Sequence, residues 1–194
     1  MRWRPLLVGL LLAAAPAGCG GSSSSGEAST KETTDPPARV LRGWKRLINH
    51  TAGFSLSLPP GWTTRRSGEG STLVRSKDRA LAVAVSADRS GDGVNDSAKT
   101  YLERTLRNLH GYRHLRSGGA APVRGLRYPA ARLNATGTFA RTRVRQAITL
   151  YALHRPGLAI YTLAVFRSAA TPAARYDPYL RVVLRSFRGR PARA

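Results

Sequence analysis

Gly53-Phe54-Ser55-Leu56-Ser57-Leu58-Pro59-Pro60-Gly61-Trp62 is the stretch that decides the fold of this 194-residue chain. Phe54, Leu56 and Leu58 alternate with Ser55 and Ser57, the period-two pattern of a half-buried strand, and Pro59-Pro60-Gly61 supplies a turn that ends it. Residues 71–76 and 80–86 read as two further strands. In the second, Leu81, Val83 and Val85 fall on one face and Ala80, Ala82 and Ala84 on the other, so the small face predicts close cover by a packed helix. That helix is expected from Asp96 or Ser97, either of which can cap it, to Gly111. Ala98, Tyr101, Leu102, Thr105, Leu106 and Leu109 step by three and four into one apolar stripe, while Lys99, Glu103 and Arg107 lie four apart on the wet face.

Further along, residues 112–116, 130–138 and 141–154 read as strands. Arg155-Pro156-Gly157 places Pro and Gly where a type II turn wants them and returns the chain into 158–166, a strand apolar on both faces and therefore central. Thr171-Pro172 and Asp177-Pro178 each look like a cap followed by a first-turn proline, so a C-terminal helix starts at one of them and runs to about Ser186. Tyr176, Leu180, Val183, Leu184 and Phe187 form its buried side. Many strands with two amphipathic helices give an α+β class, a central antiparallel β-sheet flanked by helices.

The N-terminal segment has a different composition. Arg2 and Arg4 precede an apolar run from Leu6 to Ala15, about ten residues and too short for a hydrocarbon core of about 30 Å. Ala17-Gly18 then leads into Cys19, the only cysteine, so an intrachain disulfide is excluded. The layout resembles a bacterial lipoprotein signal over residues 1–18, with Cys19 as the lipid acceptor. Pro16 stands where such signals usually carry Leu, and an ordinary secretory signal cut near Ala15 or Ala17 is the competing reading. Residues 19–42 form the acylated cysteine and a Ser/Gly/Pro-rich tether with a mean reach of about 25 Å. Residues 43–190 form one domain with one hydrophobic core. The expected location is the extracytoplasmic face of the cell membrane, held by lipid.

Gly53-Phe54-Ser55 running into Pro59-Pro60-Gly61-Trp62 resembles the opening of PsbP-like domains in actinobacterial lipoproteins. The Ala- and Val-rich strand at Leu81–Val85, the helix after it, the passage from Val123 to Arg132 into the long hairpin, and the closing Leu184-Arg185-Ser186-Phe187 follow in that family's order. The resemblance covers about residues 44–188. It implies an α+β sandwich and an adaptor or binding role, with no shared catalytic residues to transfer.

Residue chemistry gives no catalytic, cofactor or metal assignment. Phe54 and Trp62 read as core beside the turn more readily than as an exposed aromatic clamp. His110 and His114 have helical metal-site spacing, but Gly111 falls between them where the helix stops. Asp88-Arg89-Ser90-Gly91-Asp92-Gly93 imitates the start of a calcium loop, yet Lys99 stands where the bidentate Glu belongs, so a polar turn is the better reading. The sequence contains no nucleophile elbow, zinc-protease pair, Walker loop or dinucleotide fingerprint. The chain is therefore not expected to be an enzyme.

Charge is the remaining signal. The chain carries 32 Lys and Arg against 10 Asp and Glu, a net charge of +22. The tether sets Lys31 against Glu27, Glu32 and Asp35, so the positive charge belongs to the domain. Such a field attracts polyanions. Arg141, Arg143 and Arg145 alternate and are expected on one face of a strand, spaced about 7 Å apart, as an anion-binding ladder. A GC-rich coding bias explains the Arg-rich composition equally well, as a solvated face without a ligand. Export makes nucleic acid an improbable partner, leaving the membrane reached through the lipid, an acidic protein, or an anionic envelope polymer or lipid. The alternative function is a carrier of a small apolar or envelope-lipid ligand in an aliphatic pocket between sheet and helix.

Overall fold

The computed structural model describes residues 42–67, 70–91 and 95–190. The signal-like stretch, Cys19 and the tether to residue 41 lie outside the described residues. Among the described residues, no helix is long and apolar enough to cross a membrane.

Two antiparallel sheets and two α-helices make an α+β sandwich. The small sheet holds β1 (Lys45–Asn49), β2 (Phe54–Leu58) and β11 (Arg188–Gly189), with β2 in the middle. The large one contains β3 (Thr63–Arg66), β4 (Ser71–Arg75), β5 (Leu81–Asp88), β6 (Tyr112–Ser117), β7 (Ala121–Val123), β8 (Ala130–Phe139), β9 (Val144–Arg155) and β10 (Ala159–Ser168). Its order is β3-β4-β5-β10-β9-β8-β6, with β7 also pairing β8. The strand read as central, β10, is the middle one of that path. The hairpin before it turns at Arg155-Pro156-Gly157-Leu158, where the Leu158 N–H donates to the Arg155 carbonyl at 3.1 Å and Gly157 has φ +70°. The same chemistry ends β2: the Trp62 N–H donates to the Pro59 carbonyl, and Gly61 takes φ +77°.

The helix α1 (Ala98–Arg107) covers one face of the large sheet. Ser97 is its cap, its side chain accepting from the Thr100 N–H at 3.1 Å. Ala82, with Ala84 beside it, lies in the same cluster as Ala98, Tyr101 and Leu102, so the small face of β5 admits the helix as its alternation predicts. The helix ends at Arg107, earlier than Gly111: the Asn108 and Leu109 N–H groups reach carbonyls three residues back, Thr105 at 3.2 Å and Leu106 at 3.1 Å, tightening the last turn, and Asn108 leaves helical geometry at φ −95°, ψ 10°.

The opposite face is covered by the small sheet and α2 (Asp177–Ser186). Phe54, Leu56, Leu81, Val83, Tyr161, Leu163, Leu180 and Phe187 form this second core. Thr171-Pro172 leads only into a short 3-10 turn, Ala173–Arg175, whereas Asp177-Pro178 opens the helix, with Asp177 inside the first turn instead of capping it. The C-terminal strand is tightly held. The Tyr161 hydroxyl is shared between the Gly53 carbonyl at 3.1 Å and the Arg190 carbonyl at 3.2 Å, and Arg155 Nη1 donates to the Gly189 carbonyl at 2.7 Å.

Among the strands, two starts or ends shift appreciably from expectation and four strands are additional. The strand expected at 80–86 begins at Leu81 and continues to Asp88. The strand expected at 141–154 begins at Val144, because Ala140–Arg143 form the hairpin loop. The strands β1, β3, β7 and β11 were not expected.

Candidate functional site

Strand register builds a groove on the face of the large sheet that α2 only partly covers. One row runs Arg116 on β6, Thr136 on β8, Ala147 on β9 and Arg167 on β10. Paired residues of antiparallel neighbours point to the same side, so these side chains share a face, as do Asn134 with Thr149 and Arg132 with Tyr151 in the following rows. The middle of this floor is small, with Thr136, Ala147 and Thr149; Leu81 and Val165 add apolar surface beside it, and Arg116, Arg132 and Arg167 line the same cavity. The resulting cavity has a volume of about 510 Å³, and the first turn of α2, with Asp177 and Leu180, makes one wall. Arg116, Arg132 and Asn134 are exposed, so the groove opens to solvent.

A β-bulge places the outermost arginine. Arg113 pairs with Thr138 and Arg116 with Thr136, so two residues of β6, His114 and Leu115, stand opposite the single Gly137 of β8. His114 absorbs the extra residue at φ +52°. Without the bulge Arg113 and Arg116 would face opposite sides; with it both join the groove face, and Leu115 turns the other way onto Gly137.

Positive charge dominates the groove. Among the described residues, none of Arg116, Arg132 and Arg167 lies within ion-pair distance of a carboxylate; the ion pairs are Arg104 with Asp96 and Arg175 with Asp78. Arg167 is steadied by donating from Nη1 to the Thr171 carbonyl. Burial raises the Tyr151 phenol above its ordinary pKa; Arg132 opposes the shift and Asp177 adds to it. The Thr149 hydroxyl donates to Asn134 Oδ1 at 3.1 Å, which leaves the Asn134 amide nitrogen as a donor.

The expected arginine ladder is not a ladder. Arg141 and Arg143 sit in the hairpin loop, where the Arg143 N–H donates to the Phe139 carbonyl at 2.8 Å and Arg143 takes φ +57°. Only Arg145 is on β9, two residues before Ala147 and so on the groove face, although all three are exposed. Arg116, Arg132 and Arg167 were missed in the sequence. No local spacing links them, because their meeting depends on pairings between strands far apart in the chain.

The other candidates resolve individually. Phe54 is fully buried and stacks on Phe187 at 5.9 Å, and Trp62 packs on the same core and against Tyr179 at 6.4 Å. His110 lies past the end of α1 and His114 in the bulge, so they do not share a helical face. Asp88 takes the Ser90 N–H at 2.9 Å and the Tyr101 hydroxyl at 3.1 Å, the role of a polar turn tied to α1; Asp92 lies outside the described residues. Among the described residues, no group of three His, Cys, Asp or Glu side chains is placed to hold a metal. The groove occupies the sheet–helix position expected of a carrier pocket, but it lies under α2 and not on the Ala face of β5, and three arginines line it instead of aliphatics alone.

Neither a family model nor a curated protein sequence matches the chain. Solved structures do. The Ran-binding protein Mog1p of Saccharomyces cerevisiae superposes with a TM-score of 0.53 at 11% identity, over 75% of this chain and 95% of that one. The solution structure of CyanoP, the PsbP of the cyanobacterium Synechocystis, gives 0.52 at 12% identity, over 84% and 98%. A Bacteroides thetaiotaomicron protein gives 0.54 at 18% identity over 76% of this chain, which spans only 49% of that protein. The class is therefore the PsbP/Mog1-like α+β fold, in agreement with the likeness carried by residues 53–62.

Proposed function

We propose that the chain is a non-catalytic binding module, exported and held by a lipid on Cys19 at the extracytoplasmic face of the cell membrane. Its basic surface contacts an acidic protein or an anionic envelope component. The observation that carries this reading is the groove: three arginines, without carboxylate partners among the described residues, line a cavity of mixed polar and apolar residues open to solvent. The fold supports it, since Mog1p, a Ran-binding protein, has a similar fold. Arg141, Arg143 and Arg145 extend the basic surface at one end of β9.

Crosslinking in the native envelope tests the reading. The expected result is an acidic or anionic partner, lost or reduced when Arg141, Arg143 and Arg145 become Glu together with Arg116 and Arg132. Recovery of no partner, or turnover of a defined substrate by the purified chain, would contradict it. Mass spectrometry of the mature N-terminus tests the anchor: a diacylglyceryl group on Cys19 is expected, and an unmodified N-terminus would exclude it.

A further inference from the structure

We propose that the groove between the large sheet and α2 is a specific site for a phosphate ester carried on a polyhydroxyl body; this rests on the binding-module reading and names its ligand class. Arg116 and Arg167 stand three strands apart in one row, about 14 Å between backbones, a span that two arginine side chains reaching toward each other can close on one anion. Arg132 lines the same cavity farther along β8, four residues or about 13 Å from Thr136 and beside Tyr151. Planar guanidinium forks suit phosphate oxygens, and three of them lining one cavity favour an anion of that class.

The rest of the lining is mixed: Leu81, Val165 and Leu180 offer apolar contact, and the polar groups call for hydroxyls. The Asn134 amide nitrogen, the Thr136 hydroxyl and the Asp177 carboxylate at the rim offer both donors and an acceptor, a mixture that bare phosphate would leave unused and a sugar-like body would satisfy. The cavity, at about 510 Å³, lies within the usual range of about 300–1,000 Å³ for small-molecule sites, larger than a phosphate requires. A wholly apolar ligand could contact Leu81, Val165 and Leu180 but would strip water from three arginines and give them nothing back. The ester comes either from a free polyol phosphate or from the headgroup of a phospholipid.

Isothermal titration of the full chain with myo-inositol 1-phosphate tests the site. Saturable one-to-one binding is expected, weakened about tenfold or more by Arg116→Gln and by Arg132→Gln, with an intermediate loss for Arg132→Lys, which keeps the charge without the fork. Both positions are exposed, so a thermal melt matching the wild type accompanies each variant. Arg124→Gln and Arg127→Gln, exposed and outside the groove, leave binding unchanged. Unphosphorylated myo-inositol and inorganic phosphate each bind about tenfold or more weaker, because each offers only part of the contacts. Vesicles of phosphatidylinositol in phosphatidylcholine compete if the source is a headgroup and fail to compete if it is a free ester; both results support the site.

Absence of saturable binding, equal affinity for inorganic phosphate, or equal weakening by Arg124→Gln would overturn the proposal. Retention of the chain on polyglutamate with no response to the ester would overturn the groove site while leaving the broader binding reading standing.

Discussion

Gly189→Ala replaces one hydrogen with a methyl group where there is no space for it. A Cβ built on Gly189 falls 2.5 Å from Cε2 of Tyr161, 2.8 Å from Cζ and 2.9 Å from the hydroxyl oxygen. Gly189 is not among the residues with positive φ, so an alanine backbone is unstrained there and sterics alone carry the effect. The ring cannot step aside: Tyr161 is 0% exposed, packs edge-on against Phe187 at 5.1 Å, and has its hydroxyl between two carbonyls. Overpacking costs about 1–3 kcal/mol, and losing the Tyr161 hydrogen bond adds about 1 kcal/mol, so about 3 kcal/mol is expected. For a domain of this size that corresponds to a fall of about 6–12 °C in Tm.

The assay is thermal and urea unfolding followed by tryptophan fluorescence, with Gly119→Ala as control because its Cβ meets nothing within 4 Å. Adding Tyr161→Phe must not rescue Gly189→Ala, since the contacts to Cε2 and Cζ remain. A Gly189→Ala variant melting with the Gly119→Ala control, or rescue by Tyr161→Phe, would refute the reasoning.

Leu102→Ala opens a cavity under α1 at a fully buried position and lowers stability by about 2–5 kcal/mol, read from urea midpoints. Ser97→Ala removes the cap of the same helix and costs about 1 kcal/mol in the same assay. Asp78 links the turn after β4 to the start of α2. Burial alone would raise its pKa, but the hydrogen bonds from Ser76, Tyr176 and the Ala80 N–H, with the Arg175 charge, outweigh it and hold the carboxyl below its ordinary value. Its stabilisation is therefore present above the unfolded pKa of about 3.9 and is lost as pH falls through the lower folded value. Denaturation midpoints of Asp78→Asn should lie below the wild type at pH 7 and converge with it in acid.

Elements specified by their own local pattern were legible in the sequence. The alternation in Phe54–Leu58, the small face of Ala82 and Ala84, the stripe of α1 and the Pro156-Gly157 turn each contain the physics that places them. The strands β1, β3, β7 and β11 were not legible because they are short edge or near-edge strands; Lys45, Arg46 and Ile48 of β1 are exposed and give no core-facing alternation. Arg141 and Arg143 were misplaced because Ala140-Arg141-Thr142-Arg143 contains no Gly, Pro, Asn or Asp to signal a loop, and Arg143 takes the left-handed conformation without the residue type that usually marks it. The groove was invisible for a deeper reason. Arg116, Arg132 and Arg167 meet only through the β6-β8-β9-β10 register, and the bulge at His114 reverses the face that counting along β6 would assign.

Side-chain NMR of the arginine Nε–H groups during titration with myo-inositol 1-phosphate tests most directly whether three distant arginines act as one site. Saturating shifts confined to Arg116, Arg132 and Arg167, with a shared midpoint, are expected. Uniform, non-saturating shifts across all arginines would show that the groove is only a solvated basic face.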